Sequence, residues 1–184
     1  MEREKFHHKI LSSRETAVYD VVLPPHAKMR YHAHPTNHLA IVIDAGPLRN
    51  EVIGRQAVDR PTGPSRTVVY VAAGPAHRQT NTGAPPIRFI AVETAGGSIT
   101  PPVGTVPEEA VLEPPELGCH VILEKPDAKV TRCLLMPGDA VTPGHKGPFL
   151  RIPIGNVGRL AWLAGASPVA NRSTTPSLFI DLDL

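Results

Sequence analysis

Proline and glycine divide this sequence into short apolar segments, and this division limits what the chain can fold into. The 184 residues include 21 prolines and 15 glycines. Because proline cannot donate a hydrogen bond in a β ladder and breaks the interior of a helix, it marks the ends of regular elements. Between these residues lie segments rich in Val, Ile and Leu, at residues 17–23, 38–44, 67–73 and 87–94. They predict an all-β sandwich or barrel, with one short helical segment at 107–113.

The size and charge of the chain argue against several functional classes. A length of 184 residues with 41% hydrophobic residues suits one ordinary domain or two small fused ones. No apolar run approaches the ~20 residues of a membrane-spanning helix, and the first ten residues lack the apolar stretch of a secretory signal. The net charge is +2 with scattered basic residues, so we expect no nucleic-acid partner. By default we expect a cytoplasmic protein.

The two cysteines, Cys119 and Cys133, stand apart from other metal-ligating residues and form no C-x-x-C pair. Disulfides are rare in chains that are not exported. Between a disulfide and two buried thiols, the sequence therefore favours the thiols.

The chain contains an internal repeat. An offset of 112 residues aligns about forty positions without a gap and pairs identical residues, namely Leu11 with Leu123, Val18 with Val130, Leu23 with Leu135, Pro25 with Pro137, Gly46 with Gly158, and Leu48 with Leu160. Near the end the offset changes to 90, so the second copy is shorter by roughly 22 residues, the difference between the two offsets. We predict a β module at 1–95, a Pro/Gly-rich linker at 96–118, and a shortened β module at 119–184.

Histidines cluster in the stretch HAHPTNH, which contains three of the nine histidines of the chain. His32 and His34 are two residues apart, so in a strand both side chains point to one face, with Cα atoms ~6.6 Å apart. His38 begins the next apolar run and can face back across a short turn. His77 follows another apolar run and is the candidate for a fourth histidine. The pattern predicts a metal site of four imidazoles inside a barrel.

These residues also carry a family resemblance. Residues 26–46 resemble the first motif of the cupin superfamily, G-x5-H-x-H-x3,4-E-x6-G, with His32 and His34 at the two histidine positions. Residues 74–81 resemble the second motif, which ends in G-x2-H-x3-N. With the repeat, the chain looks like a bicupin, which implies two tandem jelly-roll β-barrels.

The sequence departs from the first motif at three places and from the second at one. His26 stands where the motif begins with glycine, and His38 stands where it has a glutamate ligand. Seven residues rather than six separate His38 from Gly46, and Ala72 replaces a proline. The change from glutamate to histidine alters the charge of the metal site. It does not abolish the site.

The resemblance implies one divalent metal ion per chain, held by His32, His34, His38 and His77. Fe²⁺ is favoured, and Mn²⁺, Ni²⁺ or Zn²⁺ also suit such ligands. Four neutral imidazoles leave the ion its full +2 charge, which suits a Lewis acid. Around an octahedral ion they leave two open positions, whereas around tetrahedral Zn²⁺ they leave none, as in a structural site.

The second copy lacks this constellation. At the 112-residue offset, His32 corresponds to Gly144, His34 to Lys146 and His38 to Leu150. The shortened region has no counterpart of His77, so we expect no metal in the second module. Four other histidines are interpreted as surface or hydrogen-bonded residues, namely His7, His8, His120 and His145.

Two classes of function stay open. The first is a metalloenzyme that acts on a small organic molecule, by dioxygenase-like or other Lewis-acid chemistry; no carboxylate is evident beside the histidines, which weakly favours this over isomerisation. No individual catalytic residue is assigned. The alternative is a non-catalytic module that binds a small molecule or holds a structural metal, because fold does not fix function. A homodimer and a monomer are both compatible with the sequence.

Overall fold

The computed structural model describes residues 4–13, 16–62, 65, 67–94, 108–110 and 116–184. The chain divides into two compact units, residues 1–111 and 112–184. The regular elements of these described residues are β-strands, apart from a 3-10 turn at Val157–Arg159. Within the described residues, no helix has the length and apolar character needed to cross a membrane.

The first unit contains two antiparallel sheets. Its strands are β1 (His7–Ser12), β2 (Ala17–Leu23), β3 (His38–Asp44), β4 (Pro47–Val52), β5 (Val58–Pro61), β6 (Val68–Val71), β7 (His77–Asn81), β8 (Ile87–Glu93) and β9 (Glu108–Ala110). One sheet has the order β1-β2-β8-β3-β6-β9 and the other β5-β4-β7. The helical segment expected at 107–113 is wrong at residues 108–110, which pair with β6 as a strand; the rest of that segment lies outside the described residues.

The second unit repeats this plan with fewer strands. They are β10 (Gly118–Lys125), β11 (Ala128–Leu135), β12 (Ala140–Val141), β13 (Phe149–Pro153), β14 (Ala161–Leu163), β15 (Val169–Ala170) and β16 (Ser177–Asp183). The larger sheet has the order β10-β11-β16-β13-β14, and β12 pairs with β15. The prediction of an all-β chain with two tandem jelly-roll units is confirmed.

Alternate side chains of β2 form the core of the first unit. Tyr19, Val21 and Leu23 point to one face of the six-stranded sheet and are buried. Leu48 of β4, in the three-stranded sheet, belongs to the same apolar cluster. The two sheets therefore bury their facing sides against each other, and each large apolar side chain removed from water contributes about 1.5–3 kcal/mol.

Gly46, the closing glycine of the first motif, lies where the chain passes close to β8. A Cβ at this position would come within 2.7 Å of the Ile87 Cγ1 atom. Ile87 is fully buried and cannot move aside without disturbing the core. A glycine is therefore needed here for packing.

The hydrogen-bond register supports the repeat. Val18 of β2 pairs with Val92 of β8, and in the second unit Val130 of β11 pairs with Leu182 of β16. The two pairs are related by offsets of 112 (130 − 18) and 90 (182 − 92), the same offsets that the sequence shows. The ladders of the two units are therefore equivalent residue by residue in these strands.

The third strand of each ladder departs from that offset by one residue. Leu39 of β3 pairs with Val92, whereas Leu150 of β13 pairs with Leu182. The offset between β3 and β13 is thus 111 (150 − 39). One residue has been lost ahead of β13, so the ungapped alignment of the second copy is wrong in this strand.

The two cysteines form a disulfide, so the expectation of buried thiols is wrong. Cys119 of β10 lies directly opposite Cys133 of β11, with Cα atoms 4.1 Å apart and the sulfur atoms bonded. The corresponding pair in the first unit is His7 and Val21. The sequence did not place the cysteines opposite each other because strand pairing decides that contact.

Asn81, the last residue of the second motif, ties three backbone segments together. Its side-chain amide donates to the carbonyl oxygens of Leu23, at 3.1 Å, and Pro85, at 2.8 Å. Its Oδ1 atom accepts a hydrogen bond from the Gly83 N–H at 2.9 Å. The side chain is fully buried and satisfied, so Asn81 has a structural role at the end of β7.

Asn171 makes the same three bonds in the second unit. Its amide donates to the carbonyl oxygens of Leu135 and Thr175, and its Oδ1 atom accepts from the Ser173 N–H. All four positions follow from the offsets of 112 and 90. This turn was therefore kept in both units.

We expect Asn171→Ala to lower the free energy of unfolding of the second unit by about 2–3 kcal/mol, because it leaves buried backbone groups without partners. Trp162, the single tryptophan, lies in this unit and reports its urea unfolding by fluorescence. Asn156→Ala, at an exposed turn position, is the control and should change stability by less than about 0.5 kcal/mol. Equal stability of the two variants would contradict the structural role.

Candidate metal centre

Backbone hydrogen bonds bring the two motif segments of the first unit together. The N–H of His32 donates to the carbonyl oxygen of His77, and the N–H of His77 donates to that of His32, both at 2.9 Å. An isolated bridge between Lys28 and Thr80 continues this pairing. Residues far apart in the sequence therefore place their imidazoles side by side.

Three predicted ligands form one cluster. His32, His34 and His77 each offer a ring nitrogen, and these atoms lie within 4.8 Å of one another. His34 is buried, whereas His32 and His77 are partly exposed. The cluster therefore has a closed side and a side that a small molecule can reach.

His38 lies against this cluster and not inside it. Its ring stacks on the ring of His34, with centroids 3.7 Å apart and planes at 14°. Its Nδ1 atom is buried and has no hydrogen-bond partner among the described residues, and the same holds for the His34 Nδ1 atom. Such orphaned nitrogens are rare in native interiors, and they indicate that a group absent from the protein chain completes the site.

Burial keeps these imidazoles neutral. Desolvation, reinforced by the charges of neighbouring histidines, lowers the pKa of His38 to about 3 and that of His77 to about 4. The same causes hold the pKa of His34 far below its usual range, and burial also lowers that of His32. The neutral imidazole is the form that binds a metal ion, so the donor set fits a divalent cation.

A backbone carbonyl orients His32. Its Nδ1 atom lies 3.0 Å from the carbonyl oxygen of Arg30. Because a carbonyl can only accept, Nδ1 carries the proton and Nε2 keeps its lone pair. Metal-binding histidines are commonly held by such a bond from the second ring nitrogen.

The structure adds a histidine that the sequence interpretation missed. His7, interpreted as a surface residue, is buried, and its ring centroid lies 4.9 Å from that of His32. The register between β1 and β2 places His7 opposite Val21, a core residue. The periodicity of β1 could have shown that His7 and His8 face opposite sides, but not which side is inward.

The structure also adds a carboxylate. Glu93 of β8 lies directly opposite His38 of β3, and its Oε1 atom is 3.9 Å from the His34 Nδ1 atom. The sequence interpretation found no carboxylate beside the histidines, and this is wrong. Glu93 is 55 residues away from His38 (93 − 38), so only the strand pairing reveals it.

The second unit holds an ion-pair network at the corresponding place. His145 is buried, stacks on Phe149 at 3.8 Å, and contacts Asp183 through Nδ1 at 2.9 Å and Asp181 through Nε2 at 3.0 Å. Arg151 donates two hydrogen bonds of 2.7 Å to Asp181. Both ring nitrogens of His145 are therefore engaged by carboxylate oxygens, and neither is left to bind a metal ion.

The register identifies which histidines correspond. The register of β13 makes Phe149 the counterpart of His38, and the ring stacked on Phe149 makes His145 the counterpart of His34, so the assignments to Lys146 and Leu150 are wrong. The stacked pair is preserved, with planes at 14° in the first unit and 21° in the second. His145, expected to be a surface or hydrogen-bonded residue, is buried and hydrogen-bonded.

Comparisons with known proteins give matches in structure alone. No family model matches the sequence, and no curated protein matches it. The fold is similar to that of YhaK from Escherichia coli, with a TM-score of 0.68 and 14% identity over 91% of this chain and 84% of that one. AerE from Microcystis aeruginosa gives 0.60 and 15% over 94% and 88%, and oxalate decarboxylase gives 0.60 and 13% over 92% and 69%.

We expect the metal-free protein to lose stability as the pH falls from about 6.5 towards 3. An unfolded histidine takes up its proton near pH 6.5, whereas burial holds the pKa of His38 at about 3. The unfolded state therefore binds more protons in this range, and stability falls with pH. His38→Phe, which copies the stacked pair of the second unit, should weaken this dependence.

Calorimetric melting of chelator-treated protein at several pH values measures the effect. His8→Ala, a change at an exposed neighbour of His7, should leave the pH dependence unchanged. If stability falls with pH equally steeply in His38→Phe and in the unmodified protein, the lowered pKa of His38 is not the cause.

Proposed function

Because YhaK and oxalate decarboxylase are cupin-family proteins and this chain shares their fold, we propose that it is a cupin metalloprotein. It binds one divalent metal ion per chain and uses the ion to act on a small organic molecule. The observation that carries this proposal is the cluster of three histidine nitrogens within 4.8 Å in the first unit.

His32, His34 and His77 hold the ion, and His38 is the fourth ligand in this proposal. The neutral state of these imidazoles supports it, since no proton has to be displaced at neutral pH. The orphaned Nδ1 atom of His38 also supports it. Fe²⁺ is the favoured ion, because imidazole ligands suit iron and leave positions for a further molecule, and Mn²⁺, Ni²⁺ or Zn²⁺ can replace it.

When bound, the ion supplies Lewis-acid or oxygen-activating chemistry. The surrounding residues position the ligands. The Arg30 carbonyl holds His32 in one tautomer, and the Glu93 Oε1 atom lies 3.9 Å from the His34 Nδ1 atom. The burial of His34 and His38 keeps water from the inner side of the cluster.

Glu93 changes which reactions the site can support. The sequence favoured oxygen or Lewis-acid chemistry partly because no carboxylate was evident. A carboxylate 3.9 Å from a ligand histidine supplies a group that can accept a proton. The proposal therefore covers dioxygenase-like reactions and other Lewis-acid reactions. The other Lewis-acid reactions include ones in which a proton is transferred.

We expect protein purified without added metal to contain one ion per chain, and His32→Ala or His77→Ala to lose it, because each change removes a nitrogen of the cluster. Elemental analysis and calorimetric titration measure the stoichiometry. His120→Ala, at an exposed position of the second unit, is the control and should bind one ion. Two ions per chain, or undiminished binding in both cluster variants, would exclude this site.

We expect the bound ion to keep at least one exchangeable water, because a reactive centre needs an open position. Relaxation of water protons in the Mn²⁺-loaded protein measures this exchange. A four-coordinate Zn²⁺ without water, seen by X-ray absorption, would instead identify a structural site and refute the catalytic proposal.

A further inference from the structure

His7 is a buried histidine from outside both motif segments. Its side chain is 9% exposed, and its ring meets that of His32 edge to face, at 69°. Its Nδ1 atom is buried and makes no hydrogen bond with the described residues. A buried polar atom without a partner costs about 1–3 kcal/mol, so packing alone does not explain a histidine here.

His7 lies beside the histidine cluster, with its ring centroid 4.9 Å from that of His32. Val21, its partner across the β1–β2 ladder, belongs to the core, so β1 directs His7 inward. A proton on His7 would repel a proton on His34 or on His38, and this repulsion contributes to the lowered pKa of both. His8, the next residue, is exposed.

A short turn fixes His7 relative to His32. The N–H of His7 donates to the carbonyl oxygen of Glu4 at 3.0 Å, and the Glu4 Oε2 atom accepts from the Arg30 N–H at 2.6 Å. The Arg30 carbonyl in turn holds the His32 Nδ1 atom. Glu4 therefore links the backbone of His7 to Arg30, the residue whose carbonyl holds the His32 ring.

The second unit shows that the fold does not need a histidine at this position. At the offset of 112, His7 corresponds to Cys119 and Val21 to Cys133, and those two residues form the disulfide. The unit that lacks the histidine cluster also lacks the equivalent of His7. The histidine at this position therefore occurs together with the histidine cluster, and strand pairing does not require it.

We propose that His7 donates a hydrogen bond to the molecule bound at the metal ion, and that this molecule carries a carboxylate. This inference rests on the proposed metal centre. One carboxylate oxygen can bind the ion while the second accepts from the His7 ring. Neutral imidazole ligands leave the ion doubly charged, which favours an anion, and Glu93 offsets only part of that charge.

Small anions that bind to a cobalt-loaded protein test this role. Absorption spectra of the Co²⁺ form are recorded during titration with azide and with acetate, for the unmodified protein and for His7→Phe. The phenylalanine ring keeps the packing against His32 and removes the donor. His8→Phe makes the same change at the exposed neighbour and is the matched control.

We expect His7→Phe to bind Co²⁺ as the unmodified protein does and to bind both anions about tenfold more weakly, the loss of one hydrogen bond. His8→Phe should match the unmodified protein in both measurements. If His7→Phe does not fold, His7→Leu is tested in the same way.

Two results would overturn the proposed role of His7 and leave the proposed metal centre intact. The first is unchanged anion affinity in His7→Phe. The second is a loss of Co²⁺ binding as large as that of His34→Ala, which would make His7 a ligand. Failure of the unmodified protein to bind Co²⁺ would overturn the proposed metal centre, and the role of His7 with it.

Discussion

The hydrogen-bond register of one central strand in each unit determines which residues lie opposite one another and which side chains face the core. In the first unit β8 pairs with both β2 and β3, and in the second β16 pairs with both β11 and β13. Because side chains alternate between faces, a slip of one residue would turn a core face towards solvent. This register sets Glu93 opposite His38 and fixes which positions of the two units correspond. The candidate metal centre and its counterpart in the second unit both depend on this register.

The two units build the same stacked pair of rings with different polar neighbours. In each unit, a histidine in the loop before a strand stacks on the ring of the first residue of that strand. His34 stacks on His38, and His145 stacks on Phe149. The first unit surrounds its pair with neutral imidazoles, and buried ring nitrogens there have no hydrogen-bond partner among the described residues. The second satisfies its histidine with Asp181 and Asp183. A site with unsatisfied nitrogens is stabilised when an ion binds, whereas a satisfied network gains nothing from one.

Local sequence patterns predicted the part of the site that local structure controls. His32 and His34 follow from their spacing along one extended segment, and His77 from its place in the second motif. His7 and Glu93 were missed because strand pairing, across β2 and across β3, brings them to the site. The one-residue loss ahead of β13 was missed because an ungapped alignment cannot show it. The disulfide was missed because the reasoning rested on the cellular compartment and not on register.

The sequence by itself determined the all-β class, the repeat and the identity of three clustered histidines. Each of these depends on composition, on alternation along a strand, or on spacing within a short segment. Only the tertiary structure decided which faces are inward, which residues lie opposite one another, and which nitrogens lack partners. These properties depend on hydrogen bonds between residues tens of positions apart. The same sequence pattern is compatible with several registers, and the burial of two facing sheets selects one of them.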